Sequence, residues 1–149
     1  MNVALDTNVL IYAEDINGGS RREVALDLIE RLPSDSVVVP AQVLGELFNV
    51  LVRKAGRTRS EARDAVLIWR DAYAVASTEP EVLIGAMDLA VNHQMAIWDA
   101  VILSTASGSD CRLLLSEDLQ DGFTWGGVTV VNPFADERHP LLEAVLNQG

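Results

Sequence analysis

The sequence predicts an α/β protein with a parallel sheet and helices on both faces, and three observations predict that class. Short apolar runs alternate along the chain with longer segments whose apolar residues recur at helical spacing. Strands that alternate with helices in this way form parallel sheets. The 149 residues, 49% of them hydrophobic and 22% charged, suit one globular domain with a substantial core.

Five apolar runs are the predicted strands. Each is long enough to be a buried parallel strand and too short to be a core helix. They comprise residues 3–5, 37–39, 73–77, 112–115 and 128–131.

Helices are predicted wherever apolar residues recur every three or four positions between these strands. They begin near Thr7, Ser20, Pro40, Thr58, Thr78 and Asp99. Ser20, Thr58 and Thr78 each precede a glutamate by three residues, which is the spacing of a capping box. Pro140 and the apolar residues after it predict one more short helix, within a C-terminal extension of residues 135–149.

Composition argues against a membrane-spanning or disulfide-bonded protein. No apolar run approaches the length of a membrane span, and the N-terminus lacks a basic segment ahead of an apolar one. Cys111 is the only cysteine, so it cannot form an internal disulfide, and its place beside an apolar run predicts a core residue. The two histidines match no zinc-site spacing, so any metal is expected to be a hard cation held by oxygen. We therefore predict a cytoplasmic protein.

The charge is strongly negative overall but unevenly distributed. A net charge of −11 argues against broad, nonspecific affinity for nucleic acid. However, six of the 11 basic residues fall between Arg53 and Arg70. Such a stripe could guide a phosphate chain toward a site, or it could simply be the solvated face of a helix.

Four acids stand out because they lie beside apolar runs. Asp6 and Asp118 follow the first and fourth predicted strands, Glu46 lies within the apolar face of a helix, and Asp99 sits between large apolar side chains. The carboxyl ends of parallel strands share one edge, where α/β sheets bind ligands. Unpaired buried acids are costly, and a hard divalent cation would neutralise several of them at once. Each acid alone could instead be a helix cap or a surface contact.

Four segments resemble, in order, the motifs of PIN-domain ribonucleases. Residues 5–12 (LDTNVLIY) resemble the opening motif, and residues 42–47 (QVLGEL), 97–102 (IWDAVI) and 115–122 (LSEDLQDG) resemble the second, third and fourth. Their order and spacing are similar to those of VapC-like toxins of bacterial toxin–antitoxin pairs. The resemblance covers residues 1–134, which we predict to be the nuclease domain, and includes a similar last strand at residues 128–134.

The resemblance implies a five-stranded parallel sheet in the order 3-2-1-4-5, which brings Asp6 and Asp118 together. It also implies an endoribonuclease that cleaves RNA with water activated by Mg²⁺ or Mn²⁺. Asp6 and Asp99 would be the main metal ligands. Asp118 would complete the ligand set or act through water, and Glu46 would bind a second ion or orient the attacking water.

Other polar residues receive supporting roles in this interpretation. Their oxygen and nitrogen atoms would hold the ligands in place by hydrogen bonds. The residues concerned are Thr7, Asn8, Ser116 and Asp121. Because Glu117, Asp118 and Asp121 lie in one loop, the identity of the fourth acid stays open, although Asp118 matches the motif position.

The resemblance and the charge pattern together predict partners. Flanking RNA phosphates would be held by Arg53, Lys54, Arg57 and Arg59, with Arg21 and Arg22 as the next candidates. A VapC-like toxin would be inhibited by a small antitoxin with a basic segment, and a homodimer is expected. The alternatives are a housekeeping PIN nuclease without an antitoxin, a catalytically silent binding module and an aspartate-nucleophile phosphatase. The phosphatase interpretation is weakened because Asn8 stands where that class has a second aspartate.

Overall fold

The fold is one six-stranded sheet with helices around it, in a computed structural model that describes residues 1–148. The strands are β1 (Asn2–Leu5), β2 (Val37–Pro40), β3 (Ala74–Ala76), β4 (Cys111–Leu115), β5 (Thr124–Trp125) and β6 (Val128–Val131). They are arranged in the order β3-β2-β1-β4-β6-β5. The predicted α/β class and the predicted order of the five parallel strands are confirmed, with β6 as the fifth strand of the prediction.

The strand β5 corrects the predicted number of strands from five to six. It pairs antiparallel with β6, with Trp125 opposite Val128. The two strands are joined by Gly126 and Gly127, whose φ angles of +56° and +82° suit the tight turn of a two-residue hairpin. A strand of two residues carries no apolar run, so periodicity could not reveal it.

Strand β1 lies at the centre of the sheet, between β2 and β4. Val3 is in register with Val37 on one side and with Leu113 on the other. The side chains of Val3, Ala4 and Leu5 are fully buried, as expected for a parallel strand covered on both faces. From β1 the chain continues to β2 on one side, whereas from β4 it continues to β6 on the other. The carboxyl ends of β1 and β4 therefore flank the crevice of the sheet.

Seven helices cover the sheet within residues 1–148. They are α1 (Thr7–Ala13), α2 (Ser20–Arg31), α3 (Ala41–Arg53), α4 (Arg59–Ala72), α5 (Pro80–His93), α6 (Ile97–Gly108) and α7 (Pro140–Leu146). Helix α6 is buried continuously from Ala100 to Ala106. In α7, Leu142, Val145 and Leu146 are buried within the core, while Gly149 lies outside the described residues. The division into residues 1–134 and 135–149 stays a prediction.

Helix capping follows the sequence prediction at one of three places. Thr58 and Glu61 form the predicted capping box, with hydrogen bonds of 3.0 and 3.1 Å. The prediction for Ser20 was wrong, because α2 is capped by the backbone of Gly19 and Ser20 already lies within the helix. The prediction for Thr78 was also wrong. Pro80 is the first residue of α5 and favours extended backbone at Glu79, which becomes the cap residue.

Two further sequence predictions concern the interior and the membrane. Cys111 is buried, which confirms its predicted place in the core. Across residues 1–148, none of the helices is both long enough and apolar enough to cross a bilayer.

Candidate active site

Asp6 lies where β1 gives way to α1, and both of its carboxylate oxygens accept hydrogen bonds. Oδ1 accepts the backbone N–H of Thr7 at 2.7 Å, and Oδ2 accepts the hydroxyl of Ser116 at 2.6 Å. The residue is only 5% exposed. The pKa of Asp6 is raised to about 6, mainly by burial and to a smaller extent by the charges of Glu46 and Asp118, while the two hydrogen bonds oppose the rise.

Ser116 connects Asp6 to the loop that follows β4. Its hydroxyl is fully buried, donates to Asp6 and accepts the backbone N–H of Leu119 at 3.2 Å. The backbone N–H of Asp6 also donates to the carbonyl of Leu115 at 3.0 Å, which continues the β1–β4 pairing beyond the strand ends. The loop that carries Asp118 is therefore fixed beside Asp6, where the strand order predicted it.

Glu46 enters the same crevice from α3, and its carboxylate is oriented by two side chains. The hydroxyl of Thr7 donates to Oε2 at 2.5 Å, and Nε2 of Gln42 donates to Oε1 at 2.8 Å. The same nitrogen of Gln42 also donates to the backbone carbonyl of Trp98 at 2.9 Å, which links α3 to the start of α6. The sequence prediction missed Gln42. Its position one helical turn before Glu46 is the signal that could have revealed it.

Asp99 comes from α6 and differs from the other acids in its lack of hydrogen-bond donors in the described part of the chain. It lies in the first turn of α6 and is half-buried. Burial raises the pKa of Asp99, and so do the charges of Glu46 and Asp118. Within residues 1–148, no protein donor forms a hydrogen bond or ion pair with its carboxylate. Asp99 thus lies in a negative environment with both oxygens free to bind a cation.

The structure separates the three acids of the loop after β4. Oδ2 of Asp118 accepts the side-chain amide of Asn8 at 3.3 Å, and the charge of Asp118 acts on both Asp6 and Asp99. Glu117 instead accepts from the hydroxyl of Tyr12 and from Nε of Arg21, both at 2.5 Å.

Asp121, for which we predicted a supporting role, points its Oδ1 toward the backbone N–H of Asn132 at 2.9 Å. That contact holds the end of β6 and involves none of the four acids. Asp118 is therefore the acid of this loop that belongs with Asp6, Glu46 and Asp99, and we refer to these four residues as the acid cluster.

The acid cluster has the donor chemistry of a site for a hard cation. All four side chains offer carboxylate oxygens, and each oxygen that already accepts one hydrogen bond keeps a second lone pair for an ion. Among residues 1–148, however, no three acidic, histidine or cysteine side chains converge closely enough to enclose a metal ion. Mg²⁺ commonly binds through one or two carboxylates and retains water or phosphate oxygens, so the arrangement fits such an ion.

Of the four basic residues predicted to contact RNA, three are exposed and one forms an ion pair within the protein. Arg53, Lys54 and Arg59 are exposed, and Lys54 lines a cleft of about 200 Å³ together with Asn8 and Asp118. Arg57 differs, because its guanidinium donates to the carboxylate and the backbone carbonyl of Glu14 at 3.2 and 3.1 Å. Arg57 therefore fixes the end of α1, and Arg53, Lys54 and Arg59 are the basic side chains left for RNA contacts.

The mostly parallel sheet carries its acid cluster at the carboxyl ends of its central strands, which is where α/β proteins of this class bind their ligands. The chain belongs to the PIN domain family, because the family model described as PIN domain matches residues 3–120. A comparison with curated proteins gave no match.

Solved structures with the same fold include toxins from toxin–antitoxin systems. The chain is similar to Mycobacterium tuberculosis VapC20, a sarcin–ricin loop cleaving toxin, with 20% identity and a TM-score of 0.67 over 78% of this chain and 90% of that one. It is similar to a toxin–antitoxin complex from Klebsiella pneumoniae, with 20% identity and a TM-score of 0.66 over 89% and 98%. It also resembles FitAcB from Neisseria gonorrhoeae, with 18% identity and a TM-score of 0.63 over 89% and 98%. At these identities the similarity concerns the fold.

Proposed function

We propose that this PIN-domain protein is an endoribonuclease dependent on Mg²⁺ or Mn²⁺, and that it is the toxin of a toxin–antitoxin pair. The observation that carries the proposal is the acid cluster at the carboxyl ends of β1 and β4. The charges of Glu46 and Asp118 act on both Asp6 and Asp99 there, and among residues 1–148 no donor bonds to the carboxylate of Asp99. Such a cluster is unfavourable without a cation, and phosphodiester hydrolysis is a reaction that such a cation promotes.

In this proposal Asp99 and Asp6 hold the ion, with Asp118 completing the ligand set directly or through water. A divalent ion supplies water of lowered pKa and stabilises negative charge on the phosphate oxygens. Ser116 keeps Asp6 in a fixed orientation, and Asn8 does the same for Asp118. Glu46, oriented by Thr7 and Gln42, would accept a hydrogen bond from the attacking water and align it with the phosphorus.

The decisive experiment is an RNA cleavage assay with purified protein and Mg²⁺ or Mn²⁺, with and without a chelator. We expect internal cleavage of single-stranded RNA that the chelator abolishes and added metal restores. RNA binding without cleavage would instead favour the silent binding module. Hydrolysis of small phosphate monoesters without RNA cleavage would favour the phosphatase.

The proposed partners follow from charge and from the relatives. Structures of the fold include toxin–antitoxin complexes, among them a Rickettsia felis VapBC2 complex bound to promoter DNA. With a net charge of −11 and an acid-lined site, this chain suits an antitoxin whose basic segment competes with the metal ion. Cleavage that is unaffected by the products of neighbouring genes would favour a housekeeping nuclease. The predicted cytoplasmic location belongs to the same proposal.

A homodimer is supported by an exposed apolar stripe on α5. Ile84, Met87 and Val91 are 59%, 51% and 74% exposed, and their spacing puts them on one face of the helix. We expect Met87→Asp to shift the protein from dimer to monomer in light scattering at micromolar concentration, because a charge would be buried unpaired in the interface. Asp88→Asn, on the neighbouring face, is the control. A wild-type protein that is monomeric at all concentrations would contradict the prediction.

Lys54 is proposed to bind a phosphate next to the cleaved bond, because its cleft reaches Asp118. Replacing Arg53, Lys54 and Arg59 by Ala should raise KM at least about tenfold with little change in kcat. The slope of log affinity for RNA against log salt concentration should also become less negative by about 0.7 for each phosphate contact that is lost. Arg70→Ala is the control, since Arg70 lies at the far end of α4 and pairs with Asp71. An unchanged affinity and salt slope would move the RNA path to Arg21 and Arg22.

A further inference from the structure

A second cleft adjoins the acid cluster on the side of α3 and α6. It has a volume of about 400 Å³ and is lined by Gln42, Gly45, Glu46, Asn49 and Trp98. It shares no lining residue with the cleft of Lys54, so the two are separate clefts beside the cluster. Glu46 belongs to both the cleft and the acid cluster, so a group bound in the cleft lies next to the proposed point of cleavage.

Trp98 provides one wall of this cleft and is exposed. The residue is 61% exposed, while its backbone carbonyl is fixed by the amide of Gln42. Burial in the core therefore does not account for the indole ring, which presents a large flat surface to solvent. Flat aromatic surfaces of this kind stack on nucleic-acid bases in proteins that bind single strands.

Gly45 keeps the cleft open at a position where helix stability would favour another residue. It lies in the interior of α3, where glycine is unfavourable relative to alanine. A Cβ atom built at Gly45 would have no neighbour within 4 Å, so packing does not require glycine there. The missing side chain leaves room beside Trp98 for a flat group.

The polar groups of the cleft suit an uncharged base better than a phosphate. Glu46 and the neighbouring Asp99 would repel a phosphate group at this point. The amide nitrogen of Gln42 donates to two acceptors, Glu46 and Trp98, so its carbonyl oxygen remains to accept from a base edge. Asn49, one helical turn after Gly45, adds an exposed carboxamide with both a donor and an acceptor.

We propose that Trp98 stacks on an unpaired nucleobase next to the scissile phosphate, with Gly45 providing the space and Gln42 and Asn49 facing the base edge. This inference rests on the proposed ribonuclease function. Phosphates of the same RNA would follow the other side of the cluster, toward Lys54. The cleft thus selects single-stranded RNA, because only an unpaired base can enter it.

The test compares the affinities of two probes of equal charge, a decamer of riboadenylate and an abasic ribose-phosphate decamer. Binding is measured with Ca²⁺ in place of Mg²⁺ to suppress cleavage. Wild-type protein should bind the adenylate decamer about 5- to 100-fold more tightly than the abasic decamer. Trp98→Ala should lose this preference, whereas Trp98→Phe should keep most of it. Ile68→Ala, which removes a side chain that is 69% exposed on α4, should behave as wild type.

Filling the cleft provides an independent variant. Gly45→Leu should abolish the preference for the adenylate decamer while leaving the affinity for the abasic decamer unchanged. Thermal unfolding verifies that each variant folds. Adenylate should quench the tryptophan fluorescence of the wild type, and the quenching should be lost in Trp98→Phe although Trp69 and Trp125 remain.

The outcomes distinguish this inference from the proposed function. Equal affinities of the wild type for the two probes, or a base preference that survives Trp98→Ala, would overturn the inference even if RNA is cleaved. If Trp98→Ala releases a copurified protein and leaves the RNA affinity unchanged, the cleft binds a protein and the inference is overturned. A base preference that depends on Trp98 in a protein that cleaves no RNA would uphold Trp98 as a base-stacking site and refute the proposed nuclease activity.

Discussion

Asp6→Asn is expected to abolish RNA cleavage and at the same time to stabilise the folded protein at neutral pH. The substitution removes a carboxylate proposed to hold the metal ion, so kcat/KM should fall at least about a hundredfold. Asparagine has nearly the same shape, and its amide oxygen can still accept the backbone N–H of Thr7 that now binds Asp6. The loss of activity should therefore occur in a folded protein.

The stability gain follows from the sign of the pKa shift. The pKa of Asp6 rises from 3.8 to about 6 in the folded state, mainly through burial, so folding favours the protonated form. The folded protein consequently loses stability as the pH rises from about 4 to about 6. Above that range the ionised carboxylate costs about 3 kcal/mol, an order-of-magnitude figure from 1.4 kcal/mol per pKa unit.

The measurement is the free energy of unfolding of both proteins in denaturant, without metal, at pH 7 and pH 4. Asp6→Asn should exceed the wild type by up to about 3 kcal/mol at pH 7, and the difference should largely vanish at pH 4. Asp88→Asn, an exposed acid on α5, should change neither stability nor cleavage. Wild-type cleavage rates in folded Asp6→Asn would remove Asp6 from the site.

Asp99→Asn is expected to reduce RNA cleavage as much as Asp6→Asn does, while disturbing fewer contacts within the protein. Asp99 has no hydrogen-bond donor among residues 1–148, so the substitution breaks no contact within the protein. Burial and the charges of Glu46 and Asp118 raise its pKa, so removing its charge should leave the metal-free protein as stable as the wild type or more stable. Cleavage should fall at least about a hundredfold.

Thermal unfolding with and without Mg²⁺ or Mn²⁺ separates loss of metal binding from loss of structure. Wild-type protein should gain about 2.7 kcal/mol at a metal concentration 100 times Kd, and Asp99→Asn should gain little at the same concentration. Asp110→Asn is the control, because Asp110 is exposed in a left-handed turn that asparagine tolerates. An undiminished metal-induced shift in Asp99→Asn would mean that the ion is held without this residue.

The parts of the fold predicted correctly depend on short-range patterns. The apolar run of residues 3–5 is buried on both faces of a parallel strand, and its length and composition alone indicated as much. Thr58 and Glu61 cap α4 because a side chain three residues away can reach the backbone. The same local rule failed at Thr78, where Pro80 restricts the backbone of the residue before it.

The partners of charged side chains were decided by the tertiary structure. Arg21 and Glu117 are 96 residues apart in sequence, and Arg57 and Glu14 are 43 apart, yet each pair is in contact. These contacts remove Glu117 from the acid cluster and Arg57 from the RNA contacts, and no sequence spacing indicates either result. Likewise, the exposure of Trp98 depends on how α3 and α6 meet, because its apolar neighbours in sequence favour burial.

The sequence by itself determined the five parallel strands and the acids that follow or accompany them, because periodicity and motif spacing are local properties. The order of those strands came from the resemblance to PIN-domain ribonucleases. The tertiary structure decided which of those acids act on one another. Asp6, Glu46, Asp99 and Asp118 come from four separate segments, and only the β1–β4 pairing and the packing of α3 and α6 bring their charges together. Electrostatic coupling depends on distance through space, and that distance is set by the packing of elements remote in the chain.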